Sequence, residues 1–434
     1  MLHFYSPKVS PTKAPKFRPT LFFDQLLRVF GDPARYAFHE TLPPDPDLIT
    51  HLVLRAATPY YLLRKSSPQC FYDHLGPFEH EMIRSGRWQL VLDLGWEMLY
   101  PRADILLPFQ QDLIAANFPP ENVWLINSNL NSKSVYEKVA DPSNHVNILQ
   151  FPVGAFLFLS HHVAQDNDAF QRFLEIETSA RSQATTRRHF LNFNGRARPH
   201  RNYLVAFLLS RNLDEKGFIS LLGYERAVKG SSLRDFDDTD AMVALLNRQC
   251  WGWPHVETVS PFYPQLARSL PLELDLSAED AVKDSRYKVV TPWELQDMAL
   301  YRRSYFSIVT DTSAVGDDQL FLTEKVFKPL ICLHPFVYMG HHGALAKLRQ
   351  LGFETFEPFF NEAYDREPDS RKRVGLVLNE IARLCALPQA ELAGMFAKLW
   401  PRLEHNARRG RLDALELGKA EFRTNIFEKL ERRA

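Results

Sequence analysis

Residues 305–340, YFSIVTDTSAVGDDQLFLTEKVFKPLICLHPFVYMG, decide the fold class. Tyr305 to Val309 is an apolar run of strand length. It turns polar at Thr310, Asp311, Thr312 and Ser313. After a loop, Thr323, Glu324 and Lys325 open a helical stretch that carries Lys328 and Pro329. A second apolar run, Pro335 to Met339, ends at Gly340. Strand, loop, helix and strand in that order form the repeating unit of a parallel sheet. A helix N-terminus favours anions through its N–H groups and its dipole. Lysines beside it suit a diphosphate, whereas a carboxylate there repels phosphate. Glu324 therefore needs another task, and accepting hydrogen bonds from a ribose diol fits it. On spacing alone, a solvated helix with Thr323 as N-cap explains the same residues equally well.

The pattern extends outward in both directions. Strand-like runs at 188–194, 217–223, 305–311 and 335–340 alternate with helical stretches at 199–210, 291–303, 323–332 and 343–351. Upstream, runs at 59–65, 88–95, 123–128 and 146–151 alternate with helical segments such as 23–30 and 111–118. Such alternation predicts largely parallel sheets covered on both faces. The chain divides into an extended, proline-rich arm (1–20), an N-terminal α/β domain (21–185), a second α/β domain (186–380) and C-terminal helices (381–434). The boundary falls in the polar stretch 165–188. Residues 224–290 give no clear pattern.

The 434 residues suffice for two or three domains with cores of their own. Lysine plus arginine equal aspartate plus glutamate, at 52 each, so no global field draws the chain to nucleic acid. The four cysteines, at 70, 250, 332 and 385, form no CxxC pair, which fits a reducing compartment. The N-terminal residues lack the apolar stretch of a signal peptide, and no run approaches the ~20 apolar residues of a membrane span. A cytoplasmic protein is expected.

Thr323-Glu324-Lys325, followed by a helix, a short proline-containing turn and an apolar strand ending in Gly340, resembles the donor-site motif of the α1,3-fucosyltransferases and their bacterial relatives. The wider block, through Leu345, Leu348 and LGFETFEPFFNEAYD (351–365), is similar to a group of bacterial and phage-type glycosyltransferases. The resemblance spans residues 186–380 and leaves the N-terminal half uncovered. It implies two Rossmann-like domains of the GT-B type and a nucleotide-sugar donor, with GDP-fucose as first choice. It also implies that the glutamate holds the ribose and the lysine the phosphates. The chain departs from the animal enzymes, which carry an N-terminal anchor, and matches a soluble bacterial type better. The implied acceptor is a glycan or lipid-linked glycan of surface polysaccharide biosynthesis. A CMP-linked acidic sugar, or a non-catalytic sugar-nucleotide or glycan-binding protein, is the alternative.

Further candidates surround this motif. The strand at 188–194 ends in FNGRARPHR (193–201), where Asn194 and Gly195 allow a tight turn and Pro199 suits the first helical position. Arg196 and Arg198, with Arg201 close by, offer forked donors for phosphate oxygens. Asp311 fits a sugar or base hydroxyl, or a local turn cap, and Thr312 and Ser313 can donate to phosphate. Neither Asp317-Asp318 nor RDFDDTD (234–240) forms a metal motif, so the expected transfer uses no metal and no cofactor; Arg196, Lys325 and Lys328 would neutralise the leaving diphosphate. An inverting transferase needs a carboxylate to deprotonate the acceptor. In VLDLGWEMLYP (91–101), Glu97 beside Trp96 is the first candidate base and Asp93 the second, although Trp96 as core and Glu97 as surface explain the stretch too. Asn127, Ser128 and Asn129 are candidates for acceptor hydroxyls.

Overall fold

The computed structural model describes residues 1–6, 21–55, 75–94, 103–184, 187–195, 197–221, 239–272, 274, 298–316 and 318–432. They form two compact units. The first comprises Met1–Ser160, Asp318–Leu322 and Ala414–Ala434; the second comprises His161–Asp317 and Thr323–Asp413.

The first unit is built on β1 (Leu2–Tyr5), β2 (Tyr36–His39), β3 (His51–Arg55), β4 (Gln89–Leu94), β5 (Val123–Asn127) and β6 (Asn147–Gln150). Among the described residues these make one sheet in the order β2-β1-β3-β4-β5-β6, parallel throughout. All of QLVLDL in β4 and VWLIN in β5 is buried. Burial of both strand faces is the reason these runs are apolar without alternation. Helices Pro77–Arg84 and Ala103–Ala116 place Ile83, Phe109 and Leu113 against Trp88, Leu90, Leu92 and Leu125.

Leu2–Tyr5 corrects the expected arm: these four residues are the strand at the turning point of the sheet order, paired with β2 and β3. The run is too short for a periodic signal and precedes a proline-rich stretch, so composition misplaced it. The C-terminal residues also depart from a simple terminal segment. Helix Ala414–Phe422 belongs to the first unit, where Phe422 lies 6.3 Å from Phe30 and 5.7 Å from Phe151, ring centre to ring centre. Gly418 permits the approach, since a Cβ there would stand 2.5 Å from the Phe30 ring.

The second unit carries β7 (Arg188–Asn194), β8 (Gly217–Leu221), β9 (Ser304–Thr310) and β10 (Phe336–Met339). Its sheet runs β10-β9-β7-β8, again parallel. Each of the four strands falls within two residues of its expected position. Residues 167–183, read as a polar boundary, form a helix capped by the Asp166 carboxylate on Ala169 N (2.7 Å), and the division between units lies upstream, at Ser160–His161. That helix buries few side chains, chiefly Phe170, Glu177 and Arg181, so its sequence is polar and reads as a linker. The run 59–65 lies outside the described residues; of 224–290, helices Thr239–Gln249, Val256–Val259 and Tyr263–Ser269 are described. No helix among the described residues is long and apolar enough to cross a membrane. Both units are α/β and Rossmann-like in their strand order.

Candidate functional site

In the second unit the chain proceeds from β7 to β8 on one side, then returns to β9 and β10 on the other. The order reverses between β7 and β9, and the carboxyl ends of strands at such a reversal are where open α/β sheets bind ligands. Asn194 ends β7 and Thr310 ends β9. Both residues therefore stand at the reversal of the strand order.

The strand ends are tied by a buried polar chain. Thr310 Oγ1 donates to Asn194 Oδ1, Asn194 Nδ2 donates to Asn192 Oδ1 (2.5 Å), and Asn192 Nδ2 donates to the Ile308 carbonyl (2.7 Å). Asn194 N also donates to Ser220 Oγ (3.2 Å) on β8. Asn194 is thus wholly buried and fixes the separation of the strand ends. Arg198, the N-cap residue of helix Pro199–Ser210, is exposed, with Pro199 at the first helical position as expected. Arg201 turns inward instead: it is buried and donates to the Asp311 carbonyl (2.9 Å). His200 Nε2 donates to the same carbonyl (2.9 Å), and burial, with Arg201 adjacent, pushes the imidazole down to about 3. His200 is therefore neutral at ordinary pH. Arg196 and Glu97 lie outside the described residues.

Asp311 is the hub. It is fully buried, and of the two roles open to it the geometry is that of the local cap: Thr312 N donates to Oδ1 (2.6 Å). Thr323 Oγ1 donates to the same oxygen (2.6 Å), and Tyr338 OH donates to Oδ2 (2.7 Å). Burial, and Asp311 next to it, holds the Tyr338 hydroxyl well above its ordinary range, so it stays a donor. Gly340 makes room for this: Tyr338 and Gly340 share one face of the chain, and a Cβ at 340 would stand 2.3 Å from the Tyr338 hydroxyl.

Thr323 caps helix Glu324–Ile331, accepting from Lys325 N (3.3 Å) while donating to Asp311. Glu324 and Lys325 form a partly exposed ion pair of 2.7 Å. The ammonium gives one of its three donors to Glu324 Oε1. Lys328, one turn on, is buried. Thr312 and Ser313 are partly exposed on the loop, where Ser313 Oγ donates to the Val315 carbonyl (2.9 Å). The far end of the helix is held by arginines: Arg411 Nε donates to the Ile331 carbonyl (2.9 Å) and Arg181 Nη2 to the Cys332 carbonyl (2.8 Å). Cations at a helix C-terminus oppose its dipole. Arg373, also buried, donates to the carbonyls of Gly340 (2.9 Å) and Ala314 (3.2 Å), joining the end of β10 to the loop after β9.

Sequence reasoning missed Tyr338, Arg373 and Asn192. The parity of Tyr338 and Gly340 on one strand was a usable signal for the first. Nothing local marks Arg373, which sits in helix Ser370–Ala386, remote in sequence from the loops it joins. In the first unit, Asp93 lies on β4, buried. Asn127, Ser128 and Asn129 are also buried, and Ser128 Oγ donates to the Phe151 carbonyl (3.2 Å). Among the described residues no group of three or more His, Cys, Asp or Glu is arranged to hold a metal; Asp317 and 234–238 lie outside them, and Asp318 stands 3.6 Å from Lys138.

No protein-family model matches the chain, and no curated protein matches it by sequence. Three chains of solved structures are similar, two of which are described. One is an α,α-trehalose-phosphate synthase (UDP-forming) from Burkholderia vietnamiensis, 14% identical, covering 83% of this chain and 72% of that one at a TM-score of 0.39. The other is the N-terminal domain of a trehalose-6-phosphate phosphatase from Candida albicans, 9% identical, covering 100% of this chain and 97% of that one at a TM-score of 0.41.

Proposed function

We propose that this chain is a glycosyltransferase that binds a nucleotide sugar in its second unit and passes the sugar to a hydroxyl of a glycan acceptor. One observation carries the reading. The Glu324–Lys325 pair heads a capped helix that follows β9 at the reversal of a parallel sheet, where phosphates of a nucleotide are ordinarily received. Glu324 accepts from the ribose diol. Lys325 and Arg198, with Arg196, meet the diphosphate. Thr312, partly exposed at the end of β9, supplies a hydroxyl donor, and Ser313 does so once it releases the Val315 carbonyl. Asn194, Asp311 and Thr323 hold these groups in place and do not themselves reach the donor.

In the transfer a carboxylate, Glu97 first and Asp93 second, removes the acceptor proton. The acceptor oxygen forms a bond to the anomeric carbon as the bond to the diphosphate breaks on the opposite face, which inverts the configuration. The departing diphosphate takes up the electron pair, and the lysine and arginine cations offset its charge without a metal. GDP-fucose is the first donor to try, on the strength of the Thr323-Glu324-Lys325 resemblance, and a CMP-linked acidic sugar the second. A bacterial surface glycan or its lipid-linked precursor is the acceptor class, and the cytoplasm the compartment.

A thermal-shift series with GDP, UDP, CMP and dTDP tests the reading. A nucleotide at 100 times its dissociation constant stabilises the folded chain by about 2.7 kcal/mol. GDP is expected to raise the melting temperature, and Glu324→Gln and Lys325→Ala to abolish the rise. A response to CMP alone redirects the donor to an acidic sugar. No response to any of the four overturns the proposal.

A further inference from the structure

In the second unit, Cys250-Trp251-Gly252-Trp253 follows helix Thr239–Gln249 and forms a tight turn, closed by Trp253 N on the Cys250 carbonyl (3.1 Å). Gly252 has a φ of 70°, a conformation that such a turn needs at its third residue and that a side chain resists. Both ends of the turn are buried against helix Pro199–Ser210. Cys250 Sγ donates to the Pro199 carbonyl (3.9 Å), and the Trp253 ring meets the Tyr203 ring edge-on at 5.0 Å between centres. Trp251, at the apex between them, is 75% exposed. Of the other described tryptophans, Trp88, Trp124 and Trp253 are buried and Trp400 is half-buried.

Single exposed apolar residues are ordinary, so the surroundings of this ring decide its meaning. The helix that clamps the turn starts after Arg198, and its first turn carries His200 and Arg201, both donating to the Asp311 carbonyl. The Asp311 carboxylate in turn accepts from Thr323, the cap of the helix of Glu324 and Lys325. The Trp251 turn and the Glu324–Lys325 pair are thus tied to one corner, at the carboxyl ends of β7 and β9, through residues of the second unit alone. Arg371, exposed in the first turn of helix Ser370–Ala386, brings its guanidinium to the same turn: a Cβ on Gly252 would stand 3.2 Å from its Nη1. An exposed indole therefore has two exposed cations, Arg198 and Arg371, as neighbours. A ligand that combines negative charge with a ring suits that combination.

We propose that Trp251 is a stacking platform for a ring of the nucleotide sugar, either its base or its transferred sugar. This rests on the function proposed above, which puts the diphosphate at Arg198 and Lys325. A nucleotide sugar carries a ring beyond each end of its diphosphate, so a diphosphate held at Arg198 leaves a ring in reach of the neighbouring turn. The indole face has negative potential and a large apolar area, and it receives the π-face of a base or the C–H bonds of a sugar ring. Because Cys250, Gly252 and Trp253 fix the backbone of the turn in advance, little conformational freedom is lost when the ring is covered.

Calorimetry on the full chain with GDP and GDP-fucose, or with CMP and a CMP-linked acidic sugar where CMP alone responds, tests the proposal. Trp251→Ala is expected to raise the dissociation constant roughly ten-fold and Trp251→Phe to recover most of the loss, while the melting temperature of the ligand-free protein stays at the wild-type value in both. Weaker binding of the nucleotide itself identifies the ring as the base; weaker binding of the nucleotide sugar alone identifies it as the sugar. Iodide quenching gives a second readout. The share of tryptophan fluorescence that Trp251→Phe loses should be open to iodide in the free wild type and shielded in the complex. Equal affinity of the wild type and Trp251→Ala for both ligands overturns the proposal and leaves the proposed function standing, as does a Trp251 that stays open to iodide in the complex. A wild type that binds none of the four nucleotides defeats the proposed function, and the platform with it.

Discussion

Asp311 receives hydrogen bonds from Thr312 N, Thr323 Oγ1 and Tyr338 OH, so one buried carboxylate joins the end of β9, the start of the next helix and β10. A buried charge with this many donors is tolerated; one deprived of them is costly. Tyr338→Phe should destabilise the second unit by about 1–3 kcal/mol, the cost of leaving a buried acceptor short of its donor. Gly340→Ala should cost at least as much, because its methyl displaces the Tyr338 ring from Asp311. The two losses share one contact, so urea unfolding of the double variant should show a sum well below additive. Full additivity would refute the link between Gly340 and Asp311.

Helix Glu324–Ile331 is short, contains Pro329, and depends on its ends. Isolated helices of this length are unstable, so capping and packing sustain it. At its start, Thr323→Ala should cost about 1 kcal/mol for the lost cap, and more for the lost bond to Asp311, whereas Thr323→Ser should stay near wild type. If the proposed function holds, the alanine variant should also weaken nucleotide binding, measured by calorimetry, through displacement of Glu324 and Lys325. At the other end, burial holds the Arg181 guanidinium down to about 10, against the raising effect of Glu177, and leaves it charged at neutral pH. The arginine therefore continues to serve the Tyr301 and Cys332 carbonyls.

Across the whole chain, each unit contains residues distant in sequence. Removal of 414–434 takes Phe422, Ile426, Phe427 and Leu430, all buried, from the first unit. Hydrogen exchange after that truncation should rise in helix Leu21–Phe30 and in 147–160, and stay near wild type in β7 and β9. Three buried histidines make stability pH-dependent. Burial pushes His51, His200 and His334 each down to about 3. Below an unfolded pKa near 6.5 the unfolded chain takes up protons that the folded chain refuses, so stability is lost as pH falls from about 6.5 towards 3, by up to ~1.4 kcal/mol per pH unit for each group. Buried Glu362 and Asp365, whose carboxyls burial raises, act oppositely but nearer the carboxylate range. Urea midpoints between pH 7.5 and 5.5 should therefore fall; a flat profile would show that these imidazoles charge inside the fold.

The sequence by itself determined the α/β class, the positions of the four strands of the second unit and the cap at Thr323, because apolar run length, glycine and proline placement and cap chemistry act within a few residues of one another. It did not reveal β1, whose four residues lack a periodic signal, or the helix at 167–183, whose face is mostly polar. Only the tertiary structure decided that Asp311 is a hub with Tyr338, that Arg373 joins two loops, and that 318–322 and 414–434 belong to the first unit. Each of these depends on hydrogen bonds or ring contacts between residues far apart in the chain, for which no local pattern carries the information.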